Sequence, residues 1–258
     1  MNKAANKLLV FAFLPFLFYS CLESGEGNNE DLLSGVAAAR WDVGKSANLL
    51  LSADHFTALE LEMVYMKGYK PSQEMLERMV SFLELYTVKP GGISVISKEI
   101  PAMDKGEYSA EDIAKIENDY RKSYNKGKTI AVFLLVLDGN YKQTDEESFT
   151  IGAAYRNTSL VLFGKPIEDN SGGIRKVDKA TLETTVALHE MGHLLGLVNS
   201  GTDMVNPHED EENKNHCENE DCLMYWAIET NRIFGFMQRS VPTLDGNCKM
   251  DIRANGGR

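Results

Sequence analysis

Cysteine, histidine and positive charge are all scarce in this chain of 258 residues, and each shortage narrows what it can do. Of its four cysteines, Cys21 stands near the start and leaves Cys217, Cys222 and Cys248. An odd number in an exported protein means at least one free thiol, or thiolates on a metal. Lysine and arginine total 27 against 38 acidic residues, a net charge of −11. That balance argues against nucleic acid as a partner and says little about the substrate. After the first twenty residues no run of eighteen consecutive apolar residues occurs, so nothing later is expected to span a membrane. No internal repeat is visible.

The apolar run that does occur lies at the start. Two lysines precede Leu8 to Phe18, a basic segment followed by a hydrophobic one. Pro15 and the short length argue for a signal peptide over residues 1–20 rather than a retained transmembrane helix. The run ends at Tyr19-Ser20-Cys21. A small residue before a lone cysteine resembles a bacterial lipobox, which implies cleavage before Cys21 and its lipidation. Polar, acidic residues from Glu23 to Asp31 follow, too polar to pack, and a flexible tether is expected over 21–45. The expected location is the bacterial cell envelope, at the outer membrane or cell surface, with the lipid as the sole membrane contact. About 235 residues then remain, enough for one domain or two lobes with a real core.

There are five histidines, and two of them stand four apart in Leu188-His189-Glu190-Met191-Gly192-His193-Leu194-Leu195-Gly196. On a helix that spacing puts both imidazoles on one face, one turn apart, where both can reach one metal ion. Glu190 follows the first and can turn toward a water at the metal. Zinc acidifies such a water, and a neighbouring carboxylate takes its proton as it attacks a carbonyl. Lys179 to Leu188 reads as the start of this helix, and Gly196 sits where it would end.

The rest of the domain is predicted as α+β. Phe56–Met66 alternates and then turns continuous, as a strand does. Ser72 caps a helix with Met75, Met79, Phe82 and Leu83 on one face. Ile93–Ser97 is a short strand, and Ser109 with Asp112 opens a second helix. Thr129–Leu137 is the most apolar run after the leader and reads as a central strand covered on both faces. Thr150–Tyr155 and Ser159–Phe163 form a hairpin through Arg156-Asn157-Thr158. Gly164–Lys176 reads as a polar loop. The order predicts a twisted mixed β-sheet with covering helices, an upper lobe over about 46–197 and a smaller C-terminal lobe over 198–258. From Trp226 onward, strand and helix both remain open.

The HExxHxxG string, with this order of elements, resembles the metzincin metalloproteases. In that family the helix lies on the floor of a cleft and an edge strand pairs with bound peptide; Ile151–Tyr155 is the segment to which the resemblance gives that role. The family's third metal ligand falls three residues after the glycine, where this chain has Asn199. Further on, His216-Cys217-Glu218-Asn219-Glu220-Asp221-Cys222-Leu223-Met224 resembles the archaemetzincins. There the histidine is the third zinc ligand, and the methionine forms a turn beneath the metal. The resemblance implies His216 as third ligand and Met224 as that methionine. His208 ranks second and Asn199 third, with Leu197–Asn215 as an insertion. His208 opens the acidic run His208–Glu212, read as a solvated loop rather than a calcium site. In archaemetzincins a C-terminal CxxC joins the two earlier cysteines around a structural zinc. Here Cys248-Lys249-Met250-Asp251 gives a CxxD. Either Cys217, Cys222, Cys248 and Asp251 hold a second zinc, or two of the cysteines form a disulfide.

The expected function is a zinc-dependent endopeptidase on the envelope, acting on a peptide or protein substrate. His189, His193 and a third histidine hold the metal, and Glu190 is general base and then proton donor to the leaving amine. The alternative is a pseudoprotease that binds peptide without cleaving it. Glu190 separates the two, because a pure binder has no use for it.

Overall fold

The structure is a computed structural model and describes residues 32–142, 150–172, 176–229 and 240–258. The expected signal peptide and Cys21 lie outside the described residues, as does the chain from 230 to 239. Two short helices, α1 (Gly35–Ala38) and α2 (Ala47–Leu51), come first. Leu33, Trp41 and Val43 pack against the main core, and Ala38, Ala39 and Ala47 are buried. The segment 32–45 therefore belongs to the folded domain rather than to a tether, because apolar side chains resume immediately after the polar run.

The alternating segment forms β1 (Ala58–Met66). Ser72 caps α3 (Gln73–Tyr86), its side chain accepting a 3.2 Å hydrogen bond from the Met75 amide, and Met75, Met79, Phe82 and Leu83 are buried. Next come β2 (Ile93–Ile100) and the two-residue β3 (Glu107–Tyr108). Helix α4 (Ala110–Tyr120) opens with a complete capping box between Ser109 and Asp112. Then follow β4 (Thr129–Leu137), β5 (Asn140–Tyr141) and a hairpin of β6 (Gly152–Arg156) and β7 (Ser159–Phe163). Helices α5 (Gly164–Asn170) and α6 (Lys179–Leu194), a 3-10 turn at Trp226–Glu229 and α7 (Gly246–Ala254) complete the described elements.

The main sheet has the order β2-β1-β4-β7-β6. Its first four strands are parallel, and β6 is antiparallel to β7 at the far edge. Every residue of β4 after Thr129 is buried. Val132, Leu134 and Val136 face the core shared with α3 and α6, while Phe133, Leu135 and Leu137 face the one shared with α4. That makes three layers, helix, sheet and helix, which is the mixed α+β arrangement expected. The short helix α5 corrects the expected polar loop over 164–176. Pro166 and Ile167 are buried, and Lys165 and Asp169 pair at 2.6 Å one turn apart. Two apolar side chains in a polar frame are enough to dock a turn of helix. None of the described helices is long and apolar enough to cross a membrane.

Candidate metal centre

Helix α6 starts where Asp178 accepts a 3.1 Å hydrogen bond from the Thr181 amide. It packs on α3 on one side and on β6 and β7 on the other, so it is buried from Leu182 to its end. This is why the polar residues it carries into the interior must be held by specific partners. It ends at Gly196, with φ +81°. A Cβ there would lie 2.7 Å from both the Ala47 Cβ and the Thr202 Cγ2, so conformation and space both require glycine.

His189 and His193 project from one face of α6 with their Nε2 atoms 3.2 Å apart. His189 Nδ1 donates to the Leu223 carbonyl at 2.7 Å, and His193 Nδ1 meets the Ser200 hydroxyl at 3.1 Å. His216, half-buried, donates from Nδ1 to the Lys214 carbonyl at 2.9 Å. Its ring is stacked against that of His189, with centroids 5.3 Å apart, and is edge-on to His193 at 5.1 Å. The donor atoms of the three histidines all lie within 4.8 Å of one another. A carbonyl on Nδ1 fixes the tautomer and leaves the lone pair on Nε2, the usual outer partner of a metal-binding imidazole. The nitrogens of a tetrahedral zinc site stand about 3.3 Å apart for bonds of about 2.0–2.1 Å, so the His189 and His193 pair fits zinc.

Glu190 is buried, and its Oε2 accepts a 2.7 Å hydrogen bond from the Ala154 amide of β6. A Cβ on Gly152 would come within 3.2 Å of the Glu190 side chain and 2.5 Å of Val186 Cγ1, so the edge strand lies directly on the helix. Glu190, His193 and His216 line one cleft of about 470 Å³ with Ala153 and Ala154. Asp42, Val43, Asn199, Ser200, Gly201 and Asn215 complete its walls. The strand is braced from behind. Arg156 and the Ser159 hydroxyl both contact the buried Glu117 carboxylate at 2.7 Å, and Arg121 pairs with it at 2.8 Å.

The insertion after Gly196 folds back on itself. Val198 and Asn199 take positive φ, 53° and 59°. The backbone of Asp210 donates to His216, and that of Glu218 to His208, so residues 208–210 and 216–218 lie side by side. The Cys217 amide donates to the Met224 carbonyl at 2.8 Å, which hangs the methionine turn on the same clip. Met224 is fully buried beneath Gly192. His216 thus arrives beside His189 and His193, while Asn199 is an exposed residue of the cleft wall.

A second group gathers behind this clip. The donor atoms of His208, Cys217, Asp245 and Cys248 lie within 4.8 Å of one another. Cys222 joins them, its Sγ 3.6 Å from that of Cys248. None of these three cysteines is joined in a disulfide, and all three are buried. The Cys222 thiol is pulled down to about 3 by hydrogen bonds from Cys217 and Cys248, helped by the Met224 and Asp245 amides. Cys217 is pushed up by its bond to Cys222, and Cys248 by its bonds to Cys217 and Cys222. Asp251, expected among the ligands, stands one step back. Its Oδ2 is 2.8 Å from His208 Nε2 and its Oδ1 accepts from the Val205 amide at 2.7 Å. His208, ranked as a candidate for the catalytic metal, lies in this group instead and is buried rather than part of a solvated loop. The carbonyl of Leu223, the hydroxyl of Ser200 and the amide of Ala154 had no mark in the sequence, since neither a backbone group nor an ordinary serine is distinctive by type.

The α+β fold that carries this centre is also found among solved structures. Archaemetzincin from Methanopyrus kandleri superposes with a TM-score of 0.51 at 16% identity, over 77% of this chain and 96% of that one. A zinc-dependent peptidase from Methanocorpusculum labreanum gives a TM-score of 0.47 at 16% identity, over 74% and 99%. Metalloproteinase-II from Bacteroides fragilis gives 0.42 at 15% identity, over 79% and 54%. No protein-family model matches the chain, and no curated protein does. The first of these likenesses assigns the archaemetzincin fold to the chain.

Proposed function

We propose that the protein is a zinc-dependent endopeptidase, with His189, His193 and His216 as metal ligands and Glu190 as the acid–base residue. The observation that carries this reading is the convergence of three imidazoles on one point beside a buried glutamate, at the edge of a sheet. The fold shared with archaemetzincin agrees with it. Imidazole is a preferred zinc donor, and three protein ligands leave a place open for substrate chemistry. Zinc bound there supplies Lewis-acid polarisation of a carbonyl and acidifies water.

The remaining work falls to the chain's own groups. Strand β6, last in the sheet among the described residues, offers its outer edge to an extended peptide, which adds as a further strand and lies across the cleft. Glu190, fixed by the Ala154 amide, takes a proton from the attacking water. It then passes that proton to the leaving nitrogen, so the carboxylate is regenerated at the end of the cycle. Leu223 and Lys214, through their carbonyls, keep His189 and His216 in the tautomer that presents Nε2.

Glu190→Gln tests the assignment. Zinc content should stay at the wild-type level, while peptide hydrolysis falls by about 10²–10⁴-fold, the usual cost of losing a general base. A variant that cleaves a peptide library at the wild-type rate would remove Glu190 from the mechanism. Zinc-loaded wild type that cleaves no member of the library would instead favour a peptide-binding pseudoprotease. We further propose an envelope location through lipidated Cys21, supported by the Ser20-Cys21 pair after an apolar run. Cys21→Ala should abolish incorporation of labelled fatty acid; equal labelling of both proteins would sink the anchor.

A further inference from the structure

We propose that His208, rather than Asp251, is the fourth ligand of the structural metal site that the resemblance to archaemetzincins implies at Cys217, Cys222 and Cys248, and that Asp251 orients its imidazole. This site is separate from the three-histidine centre and does not depend on the peptidase reading. His208 Nδ1 lies 3.4 Å from Cys217 Sγ, and the Cys222 and Cys248 sulfurs are 3.6 Å apart. Around a tetrahedral zinc, bonds of about 2.3 Å to sulfur and 2.0–2.1 Å to nitrogen give edges of about 3.6 Å between nitrogen and sulfur and 3.8 Å between sulfurs. These two edges are therefore already close to those of a loaded site. The four side chains are also buried, as in a structural site with no place left for water.

Two carboxylates compete for the fourth position, and both are otherwise engaged. Asp245 caps α7, accepting from the Cys248 amide at 2.8 Å, and its other oxygen meets the Asn219 amide at 3.3 Å and the Cys217 thiol at 3.4 Å. Asp251 bonds His208 Nε2 at 2.8 Å and the Val205 amide at 2.7 Å. A carboxylate on one ring nitrogen and a metal on the other is the common arrangement for a metal-binding histidine. Charge favours the same choice. Three thiolates and a neutral imidazole leave zinc with one net negative charge, whereas a fourth anion would bury two. The backbone amides of Met224 and Asp245 point at the Cys222 sulfur, each 3.4 Å from it. The insertion after Gly196 thus supplies the ligand that the CxxD lacks, and Asp251 serves that ligand.

The test uses the full chain, purified with reduced thiols and loaded with cobalt(II). Thiolate-to-cobalt charge-transfer bands report this site alone, because the three-histidine centre contributes no sulfur. Wild type should show these bands and bind two metal ions per chain. Asp251→Asn should keep the bands and weaken the metal by about 10–100-fold, and His208→Ala should weaken it further, since it removes the ligand and not its partner. His208→Cys guards against simple misfolding: it should restore binding and strengthen the bands by about one third, four thiolates for three. The proposal is overturned if His208→Ala binds as tightly as wild type. It is also overturned if Asp251→Asn loses the bands while His208→Ala keeps them, or if the protein as isolated from cells carries a Cys222–Cys248 disulfide and takes up one metal ion.

Discussion

Met224 lies so close under Gly192 that a Cβ on the glycine would stand 2.3 Å from the methionine sulfur and 3.1 Å from its methyl group. The contact joins the active helix to the turn that follows Cys222, and through the Leu223 carbonyl to His189. Gly192→Ala gains about 1 kcal/mol of helix propensity, but it overpacks a closed interior, which costs about 1–3 kcal/mol. We expect a net loss of stability in urea unfolding, together with weaker zinc binding as Leu223 shifts. Adding Met224→Ala should return part of both. A single variant as stable as wild type, with unchanged zinc affinity, would show that the methionine moves aside freely.

Gly152 offers a different test, because it separates positioning from metal binding. A methyl group there meets Val186 Cγ1 at 2.5 Å and the Glu190 side chain at 3.2 Å. Gly152→Ala should displace Glu190 or lift the edge strand from α6 while leaving the three histidines in place. Displacement of about 1 Å in a reacting group costs on the order of a hundredfold in rate. The readout is kcat on a peptide substrate alongside zinc content. Lost zinc with a proportionate loss of activity would mean that the strand supports the metal centre, not the base.

The sequence carried those parts of this site whose signals are local. The spacing of His189 and His193 needs nothing beyond helix geometry. Ser72, Ser109 and the Asn157-Thr158 turn announce their elements by side-chain chemistry that acts within four residues. The course of β4 follows from an apolar run that no half-exposed strand would carry. Helix α5 was hidden because its docking rests on two apolar residues, Pro166 and Ile167, in an otherwise polar stretch. The partnership of His208 with Asp251 was hidden for another reason. It spans 43 residues, and no pattern in the chain marks which carboxylate will meet which imidazole once the insertion folds back. From the sequence Asp251 could be read only as a candidate ligand, not as the partner of His208.

Lys89 gives a pH dependence whose sign can be worked out. It is buried, and its ammonium donates to the carbonyls of Leu49 and Phe56 at 2.8 Å and to that of Ser52. Burial pushes its pKa down to about 8, below the value of about 10.4 in an unfolded chain. Between these values the unfolded state holds more protons, so this group makes stability rise with pH; below about 8 its contribution is flat, with the penalty in full. Lys89→Met should remove that slope. It also strands three carbonyls, so the variant should be less stable at pH 7 by about 1–3 kcal/mol. Urea unfolding at pH 7, 8.5 and 10 measures both effects, and wild-type and variant curves that stay parallel would refute the assignment.

The last prediction concerns the third ligand of the proposed catalytic zinc, where the metzincin pattern and this chain part company. Two histidines one helical turn apart leave zinc short of the three protein ligands a catalytic site uses. Asn199 occupies the family's position, but an amide oxygen is a poor zinc donor, and its residue is an exposed part of the cleft wall. His216 stacks on His189, and its Nδ1 is tied to Lys214. His208 is buried among thiols, turned toward Asp251. The three substitutions should therefore separate cleanly. His216→Ala should cost the catalytic metal orders of magnitude in affinity while leaving the thiolate-to-cobalt bands intact. His208→Ala should weaken the thiolate site, with the larger effect there. Asn199→Ala should change either site by less than about tenfold, because no ligand is lost. Competitive zinc titration of the three purified variants, read with the cobalt spectra, distinguishes them. If His208→Ala empties the catalytic site while His216→Ala keeps it loaded, the ligand assignment is reversed. The clip that joins residues 208–210 to 216–218 would then deliver the wrong histidine to the cleft in this structure.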